Sequence, residues 1–372
     1  MRADPFEFWR IAWAATLSGG AEVFWGASSP PGPPRAAAID PSALPVLGRV
    51  RVELATMWLL EEREPAPRRI PPTLIVAPYA VHEASIADFA PGHSLAQALV
   101  ESGAGPIALT YWKSATPEMK DYDIDVYLGA LNVAVDDLGG RVSLVGLCQG
   151  GWLAAIFAAR FPAKVAKLAL VGAPIDLEAA PSRITEAVAL ASPAAIAAAL
   201  AASGGRVLSA VAFSHWAGRF SPEFTAEAAL QCCGDPALVG LFDAWNRRTV
   251  DLPGAYFAQT AEWIFRENRL ARGAFRTFGR QAPLSAIAAP IFVLAAGDDE
   301  VVSTPQATAI EALCPQTPVT VRVEPGRHLS LFMGRRTIAT VWRDLARWLA
   351  EAEGPKRRPQ RGAARAAVDA EA

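Results

Sequence analysis

The sequence predicts an α/β protein with a mostly parallel sheet covered by helices and a helical cap inserted into it. Short, continuously hydrophobic runs alternate with helical patterns, and strands covered on both faces must be hydrophobic along their whole length. This alternation stops between about Asp176 and Leu284, where alanine-rich helical stretches follow one another without a convincing strand. The chain has 372 residues, 52% of them hydrophobic. That is enough for one large domain with an insertion, or for two small domains.

Strand and helix patterns follow one another along the core. Helical spacing is present in SLAQALVESG, in WLAAIFAARFP and from Arg335 to Glu351, where six apolar residues share one face: Ile338, Val341, Trp342, Leu345, Trp348 and Leu349. Alternation of strands with helices implies a parallel sheet. The predicted strands are TLIVA (73–77), PIALTY (106–111), VSLVG (142–146), KLALVG (167–172), IFVLAA (291–296) and VTVRV (319–323).

Composition divides the chain into parts. Residues 1–40 are predicted to hold an apolar helix and a linker, because the prolines of SSPPGPPRAAA exclude helix and strand. That helix either packs on its own domain or attaches to an apolar surface. The core is predicted at 41–177 and 285–352, with the cap at 178–284. Residues 353–372 have almost no large apolar side chains, so a disordered tail is expected.

Charge and cysteine content exclude several classes of protein. The formal net charge is -2, which gives no electrostatic reason to expect nucleic acid as a partner. The N-terminus lacks a signal peptide's positive region, and no run approaches the roughly 20 apolar residues of a membrane span. Cys232, Cys233 and Cys314 are expected to be packing residues, with no disulfide framework or metal spacing. We therefore expect a cytoplasmic protein with no metal and no cofactor.

The segment GLCQGG, between a predicted strand and a predicted helix, has the form of a nucleophile elbow, G-x-Nu-x-G. Such a turn brings strand and helix so close that flanking side chains would collide, which Gly146 and Gly150 avoid. Gly151 further lets the helix approach the strand. Cys148 would then lie at a helix N-terminus, whose partial positive charge favours a thiolate. The alternative is that Cys148 is a small buried hydrophobic residue at a tight turn.

An elbow of this kind requires an acid and then a histidine later in the chain. IFVLAAGDDEVV ends a strand in Asp298 and Asp299, and VTVRVEPGRH ends the next in His328. The carboxyl ends of parallel strands share one edge, so we expect Cys148, Asp299 and His328 to meet there. His328 would act as the base and Asp299 would orient it. Asp299 fits the usual acid-x-hydrophobic-hydrophobic turn, while Asp298 remains the alternative.

Two backbone N–H groups are predicted to form an oxyanion hole. One belongs to Gln149, directly after the cysteine. The other comes from the loop APYAVHEASIADF, where Val81 or His82 is the donor. The His82 side chain either takes part in the site or is a polar loop residue at the mouth of the cleft.

GLCQGG resembles the G-x-C-x-G-G box of polyhydroxyalkanoate synthases, which join 3-hydroxyacyl-CoA units into polyester. The segments PTLIVAPYAVHEASIADFAPGHSLAQALVESG, YWKSATPEMKDYDIDVYL and FPAKVAKLALVGAPID are also similar to that family. The resemblance runs roughly from Val50 to Leu349 and implies an α/β-hydrolase fold. The spacing of Cys148, Asp299 and His328 resembles that of the short synthases that work with a second subunit.

Other segments depart from the synthase pattern. DEVVS stands where D-H-I-V-P is usual, and GRH stands where G-G-H is usual. DLPGAYFAQTAEWIF and LFMGRR look more like the intracellular polyhydroxybutyrate depolymerases, which also use a cysteine on this fold. Those enzymes, however, lack the full G-x-C-x-G-G box. The resemblance therefore implies acyl transfer through Cys148 and leaves synthesis and breakdown open.

Three functions remain as hypotheses. The first is synthase-like transfer from 3-hydroxyacyl-CoA, and the second is a polyester depolymerase or related esterase or thioesterase. The third is a non-catalytic granule-binding or partner subunit, suggested by the aromatic N-terminus and by Trp216, Trp245 and Trp263. The partners implied are a polyester granule surface and a second subunit or a second copy of the chain.

The cap is predicted to fold over Cys148 and exclude water from the cleft. Five of its aromatic residues either line or cover the cleft or form the core of the cap itself: Trp245, Tyr256, Phe257, Trp263 and Phe265.

Overall fold

A computed structural model of the protein describes residues 38–64, 70–181, 185, 192–209, 222–232 and 235–351. The helix and linker predicted near the N-terminus and the predicted tail fall almost wholly outside these residues. Cys233 and Trp216 are also outside them. Strands in the described residues are β1 (Arg49–Glu53), β2 (Met57–Glu61), β3 (Thr73–Val76), β4 (Ile107–Trp112), β5 (Val142–Leu147), β6 (Val165–Val171), β7 (Arg206–Val207), β8 (Leu252–Pro253), β9 (Arg276–Thr277), β10 (Arg280–Gln281), β11 (Ile291–Ala296) and β12 (Val319–Glu324).

Helices cover the sheet and build the cap. No helix of the described residues has both the length and the hydrophobicity needed to cross a membrane. The α-helices are α1 (Leu95–Glu101), α2 (Ile124–Asp137), α3 (Gln149–Arg160), α4 (Pro193–Ala202), α5 (Pro222–Leu230), α6 (Pro236–Asn246), α7 (Gly254–Gln259), α8 (Thr304–Thr308), α9 (Ile310–Leu313), α10 (Ser330–Met333), α11 (Arg335–Ala339) and α12 (Val341–Ala350). A π-helix spans Thr260–Arg266, and short 3-10 helices span Pro41–Ala43, Ala84–Asp88, Pro117–Met119, Pro162–Lys164 and Leu284–Ala286.

Eight strands form the central sheet, in the order β1-β2-β4-β3-β5-β6-β11-β12. The pairs β1·β2 and β2·β4 are antiparallel, and the pairs from β4 to β12 are parallel. The predicted α/β architecture with a mostly parallel sheet is confirmed. Strands β3, β5, β6 and β11 are buried along their whole length. This explains why continuously hydrophobic runs marked them in the sequence.

The antiparallel edge, β1 and β2, was not predicted. Arginine and valine alternate in β1, and its residues are exposed or half-buried. An edge strand with one solvated face carries a period-2 pattern, which is weaker than a continuous apolar run. Arg51 donates from its guanidinium to Glu61 and Asp137, so this edge is held by polar contacts as well.

The helix predicted from Arg335 to Glu351 is divided into α11 and α12 at Thr340, where φ is −115° and ψ is −79°. The Thr340 hydroxyl donates to the Arg336 carbonyl (2.8 Å), a local bond that competes with regular helix. The predicted apolar face still packs inward, and Trp342 is fully buried with its indole N–H donated to the Leu331 carbonyl (2.8 Å).

The segment between β6 and β11 carries helices α4 to α7 and the π-helix. It also contains two antiparallel ladders of two residues each, β7·β8 and β9·β10, where the sequence predicted no strand. Ladders this short have no hydrophobic period, so a periodicity argument does not detect them.

Candidate active site

Cys148 lies in the turn between β5 and α3, with φ at 47° and ψ at −116°. A positive φ is strained for a residue with a side chain. Two backbone hydrogen bonds hold the turn: the Cys148 N–H donates to the Val171 carbonyl, and the Gly151 N–H donates to the Cys148 carbonyl, both at 2.8 Å. The cysteine is half-buried. The backbone therefore has the geometry that the elbow motif requires.

The three glycines around Cys148 lie where strand and helix approach most closely. A Cβ atom on Gly146 would lie 2.5 Å from the Gly151 Cα, and one on Gly150 would lie 2.1 Å from the Val76 carbonyl oxygen. A Cβ atom on Gly151 would lie 2.3 Å from the Ala173 Cβ. Each distance is shorter than any van der Waals contact, so the turn cannot close with larger residues at these positions.

Asp299 follows β11 and His328 follows β12. The His328 Nδ1–H donates to the Asp299 carboxylate, with distances of 2.8 Å to Oδ2 and 3.1 Å to Oδ1. Asp299 Oδ1 also accepts from the N–H groups of Val301 and Val302, both at 2.8 Å. The side chains of His328 and Asp299 are 7% and 0% exposed, whereas Asp298 is exposed to solvent. The geometry therefore pairs His328 with Asp299 rather than with Asp298.

His328 also interacts with Cys148. Burial lowers the pKa of His328, but the Asp299 charge and the interaction with Cys148 raise it by more than burial lowers it. The pKa of His328 therefore lies well above its ordinary value. Since Nδ1 faces Asp299, Nε2 is the ring nitrogen left for the thiol. The ring packs edge-on against Phe332, with centroids 5.2 Å apart. A Cβ atom on Gly172 would lie 3.2 Å from the ring, so a small residue there makes room for it.

Cys148 and His328 line one cavity, which has a volume of about 60 Å³ and mostly apolar walls. Val81 and Gln149, the predicted oxyanion-hole residues, line the same cavity. Gln149 is the first residue of α3, where N–H groups have no partner within the helix. The Val81 loop is anchored by its carbonyl, which accepts from the Val250 N–H (2.8 Å). Donation from these two N–H groups to an oxyanion stays a prediction.

His82 is buried in the cavity wall instead of lying at its mouth. Its Nε2–H donates to the Asn246 carbonyl (2.9 Å), and its ring stacks on Trp245 with centroids 4.6 Å apart and planes 21° apart. Burial lowers the pKa of His82 to about 4. His82 is therefore neutral at physiological pH and joins the nucleophile side of the cavity to the cap.

The sequence reasoning missed Glu300. Its Oε2 accepts from the His328 N–H (3.3 Å), so it supports the loop that carries the histidine. Burial raises its pKa to about 7, and the neighbouring Asp299 charge adds to this rise. The signal that was available is the third acidic residue in the run GDDE, directly before two hydrophobic residues.

The five cap aromatics differ in where they pack. Trp245 and Phe265 line the cavity that contains Cys148. The others are not among the lining residues: Tyr256 stacks on Trp152 (6.2 Å), Trp263 packs edge-on against Phe275 (6.0 Å), and Phe257 is buried in the hydrophobic core. Tyr256 still interacts electrostatically with Cys148.

The remaining described cysteines lie apart from this cavity. Burial raises the pKa of Cys314 to about 11, and its thiol donates to the Leu284 carbonyl (3.1 Å). Cys232 is half-buried, and burial raises its pKa as well. Both are thiols at neutral pH. The part of the chain that the structure describes contains no group of three potential metal ligands.

Comparison with known proteins identifies the family. Residues 106–334 match the family described as alpha/beta hydrolase fold, and the chain therefore belongs to that family. The chain is 25% identical over 324 residues to the poly(3-hydroxyalkanoate) polymerase subunit PhaC of Synechocystis sp., covering 79% of this chain and 80% of that protein. It is 21% identical over 330 residues to PhaC of Allochromatium vinosum, covering 85% and 91%.

A solved structure agrees on the fold. The monoacylglycerol lipase of Paleococcus ferrophilus superposes with a TM-score of 0.53 at 12% identity, covering 79% of this chain and 98% of that one. At this identity the similarity shows the α/β-hydrolase fold alone. The resemblance to polyhydroxyalkanoate synthases, inferred from the motifs, is confirmed by the two PhaC relatives.

Proposed function

We propose that the protein is an acyltransferase of polyhydroxyalkanoate metabolism that works through a Cys148 thioester, with 3-hydroxyacyl-CoA as the acyl donor. The observation that carries this proposal is the elbow cysteine, which shares a mostly apolar cavity with an imidazole held by a buried carboxylate. The similarity to two poly(3-hydroxyalkanoate) polymerase subunits supports the choice of substrate.

In the first half of the reaction His328 takes the thiol proton and the Cys148 thiolate attacks the thioester carbonyl. The N–H groups of Gln149 and Val81 stabilise the oxyanion that forms. The C–S bond to CoA then breaks, and His328 returns its proton to the departing CoA thiolate. Attacking and leaving groups are both thiolates, so the exchange is nearly balanced. Asp299 stabilises the imidazolium formed in between.

In the second half His328 takes the proton of a hydroxyl group at the end of another 3-hydroxyacyl unit. The resulting alkoxide attacks the acyl carbon, and the C–S bond to Cys148 breaks. The Cys148 thiolate regains the proton from His328, and the polyester is longer by one ester bond. The mostly apolar walls favour this outcome because they keep water, the competing nucleophile, away from the acyl group.

Hydrolysis is the second candidate function. The same thioester releases a free acid if water takes the place of the hydroxyl, which would make the protein a polyester depolymerase, an esterase or a thioesterase. DLPGAYFAQTAEWIF and LFMGRR favour this reading, because they resemble the depolymerase pattern more than the synthase pattern, and GRH departs from the synthase motif.

The third candidate is a non-catalytic granule-binding or partner subunit. The described cap aromatics are packed inside the molecule or against the cavity, which supports this role less than it supports the other two. For either catalytic scheme we propose a polyester granule surface and a second subunit or second copy as partners. The scheme uses no metal and no cofactor beyond the CoA thioester substrate.

The test is incubation of the purified protein with 3-hydroxybutyryl-CoA and, separately, with amorphous polyester. CoA release together with polymer supports the synthase, whereas CoA release without polymer indicates a thioesterase. Soluble 3-hydroxybutyrate from polyester indicates a depolymerase. Cys148→Ala is the matched control, and an acyl adduct on Cys148 in intact-protein mass spectra identifies the intermediate. Absence of all three products would overturn the proposal.

A further inference from the structure

Trp245 lines the cavity of Cys148 and carries a buried hydrogen-bond donor without an acceptor among the described residues. It lies at the end of α6 in the cap, is 1% exposed, and lines the cavity together with Cys148 and His328. Its indole N–H has no acceptor within the described residues. A buried donor without a partner costs free energy, and each such group in a folded protein calls for an explanation.

The polar side chain that stacks on the indole does not accept this proton. His82 stacks on the Trp245 ring with planes 21° apart, so the indole N–H runs almost parallel to the imidazole instead of pointing at its nitrogens. His82 is fixed in that position by its bond to the Asn246 carbonyl. The ring contact with Phe242, 5.7 Å between centroids, supplies no acceptor either. Within the described residues the indole N–H therefore has no acceptor, and a molecule that enters the cavity can supply one.

We infer that the Trp245 indole N–H donates a hydrogen bond to an oxygen on carbon 3 of the acyl group attached to Cys148, which makes Trp245 a specificity-determining residue for 3-oxygenated acyl thioesters. This inference rests on the proposed acyl transfer through Cys148. The thioester carbonyl oxygen is assigned to the N–H groups of Gln149 and Val81, so the next oxygen along the acyl chain is the one on carbon 3.

The surrounding wall sharpens this assignment. Ile86, Phe265 and Phe332 also line the cavity and offer no hydrogen-bond donor, whereas its polar side chains belong to His82, Glu83, Gln149 and His328. A hydroxyl group buried against such a wall without a partner would weaken binding. One indole N–H at that wall instead favours a 3-hydroxyacyl group over the same chain lacking the oxygen.

The test compares two thioesters that differ by one oxygen, 3-hydroxybutyryl-CoA and butyryl-CoA. The full-length protein is mixed with each, and the rate of the first CoA release gives the ratio of second-order rate constants. Trp245→Phe keeps an aromatic ring and removes the N–H. We expect it to lower the ratio by about tenfold, the size of one hydrogen bond. An unchanged ratio would overturn the inference.

Trp152→Phe is the matched control. Trp152 is also fully buried and its indole N–H also has no partner within the described residues, but it is not among the residues that line the cavity. Its replacement should leave the ratio unchanged. If both variants lower the ratio equally, the effect belongs to general packing and the inference is wrong. If Trp245→Phe does not fold, Trp245→Leu removes the same donor and takes its place.

Failure of the proposed function gives a different result. A wild-type protein that releases CoA from neither thioester would overturn acyl transfer from CoA. The same ratio is then measured with the 4-nitrophenyl esters of 3-hydroxybutyrate and butyrate. With these esters, a lower ratio in Trp245→Phe than in the wild type supports the assignment of Trp245. An equal ratio, or a protein that is inert toward both esters, overturns that assignment.

Discussion

The strand ends of the core and the helical cap reach the same cavity by different physical means. Cys148 directly follows β5, and Asp299 and His328 lie three and four residues after the ends of β11 and β12, so the parallel sheet brings them to one edge. Trp245 and Phe265 reach the cavity from α6 and the π-helix, through packing between elements distant in sequence.

The difference separates two tasks. Backbone geometry holds His328 and Asp299 within hydrogen-bond distance, whereas side-chain packing shapes the cavity that Cys148 and His328 line. A change at a strand end should therefore alter the chemical step, and a change in the cap should alter which acyl groups enter. Substitutions in both regions test this division, in order of decreasing effect.

Replacing Cys148, the proposed nucleophile, should have the largest effect. We expect Cys148→Ala to reduce acyl transfer by about 10⁴-fold or more, with an unchanged melting temperature, because Cys148 is half-buried and its side chain caps no helix. Cys148→Ser should retain little activity, since a hydroxyl ionises far less at neutral pH. CoA release measures the activity of the two variants, and thermal melting measures their stability. Full activity in the alanine variant would contradict the proposed mechanism.

Replacing His328, the proposed base, or Asp299, its hydrogen-bond partner, should have the next largest effect. His328→Gln should slow the reaction by at least about a hundredfold, within the range of a lost general base. Asp299→Asn should slow it more than Asp298→Asn does, because Asp299 carries the bond to His328 while Asp298 faces solvent. Steady-state rates of the three variants test this. The reverse order of the two asparagine variants would move the acid by one position.

The close approach at the elbow predicts a loss of stability. Gly150→Ala puts a Cβ atom 2.1 Å from the Val76 carbonyl oxygen, a backbone atom that cannot turn away. We expect the free energy of unfolding to fall by about 3 kcal/mol or more. Gly129→Ala in α2 is the control, because nothing lies within 4 Å of its added Cβ, and it should gain up to about 1 kcal/mol. Denaturant unfolding of both variants gives the comparison, and equal stabilities would contradict the elbow geometry.

Glu300 predicts a pH dependence of stability. Its pKa is about 7 in the folded protein against an ordinary 4.5, so the folded state binds this proton more tightly than the unfolded state. The free energy of unfolding contributed by Glu300 therefore falls as pH rises from about 4.5 to about 7 and is level above that. Glu300→Gln should flatten the decline of the melting temperature over this range. A variant whose melting curve follows the wild type at every pH would show that Glu300 titrates normally.

The smallest expected effect concerns a contact between the cap and the core. Gln231, just after α5, accepts at its Oε1 from the N–H groups of Arg336 (3.1 Å) and Thr337 (3.2 Å) in α11. Gln231→Ala should cost about 1 kcal/mol, as loss of a helix N-cap does. Gln231→Glu keeps the acceptor oxygens and should retain most of the stability. Equal losses in the two variants would mean that the acceptor is not what matters.

What the sequence predicts well is local. The continuous hydrophobic runs and the GLCQGG turn predicted the parallel strands. The positions of Asp299 and His328 after two of these strands predicted that their side chains lie close together. Strand β1 was not predicted, because Arg49 and Arg51 alternate with valines in a strand at the edge of the sheet. Glu300 was not predicted as a site residue, because its burial depends on how the loop folds back on His328.

The cap shows the other limit of sequence reasoning. Helical spacing identifies an apolar residue as inward-facing, but it does not tell which neighbour that residue meets. Trp245 and Tyr256 are equally buried, yet the first lines the cavity and the second packs on Trp152. That choice depends on the relative placement of whole helices, which is set by the sum of many weak contacts.

The positive φ of Cys148 links activity to thermal robustness. Glycine adopts that backbone conformation without strain, so a library selected for heat resistance alone would be expected to enrich glycine at position 148. Under the proposed mechanism, the enriched proteins would outlast the parent on heating but would lack its nucleophile. Directed evolution of this fold must therefore screen for turnover at every round, because at this position the two properties are in direct opposition.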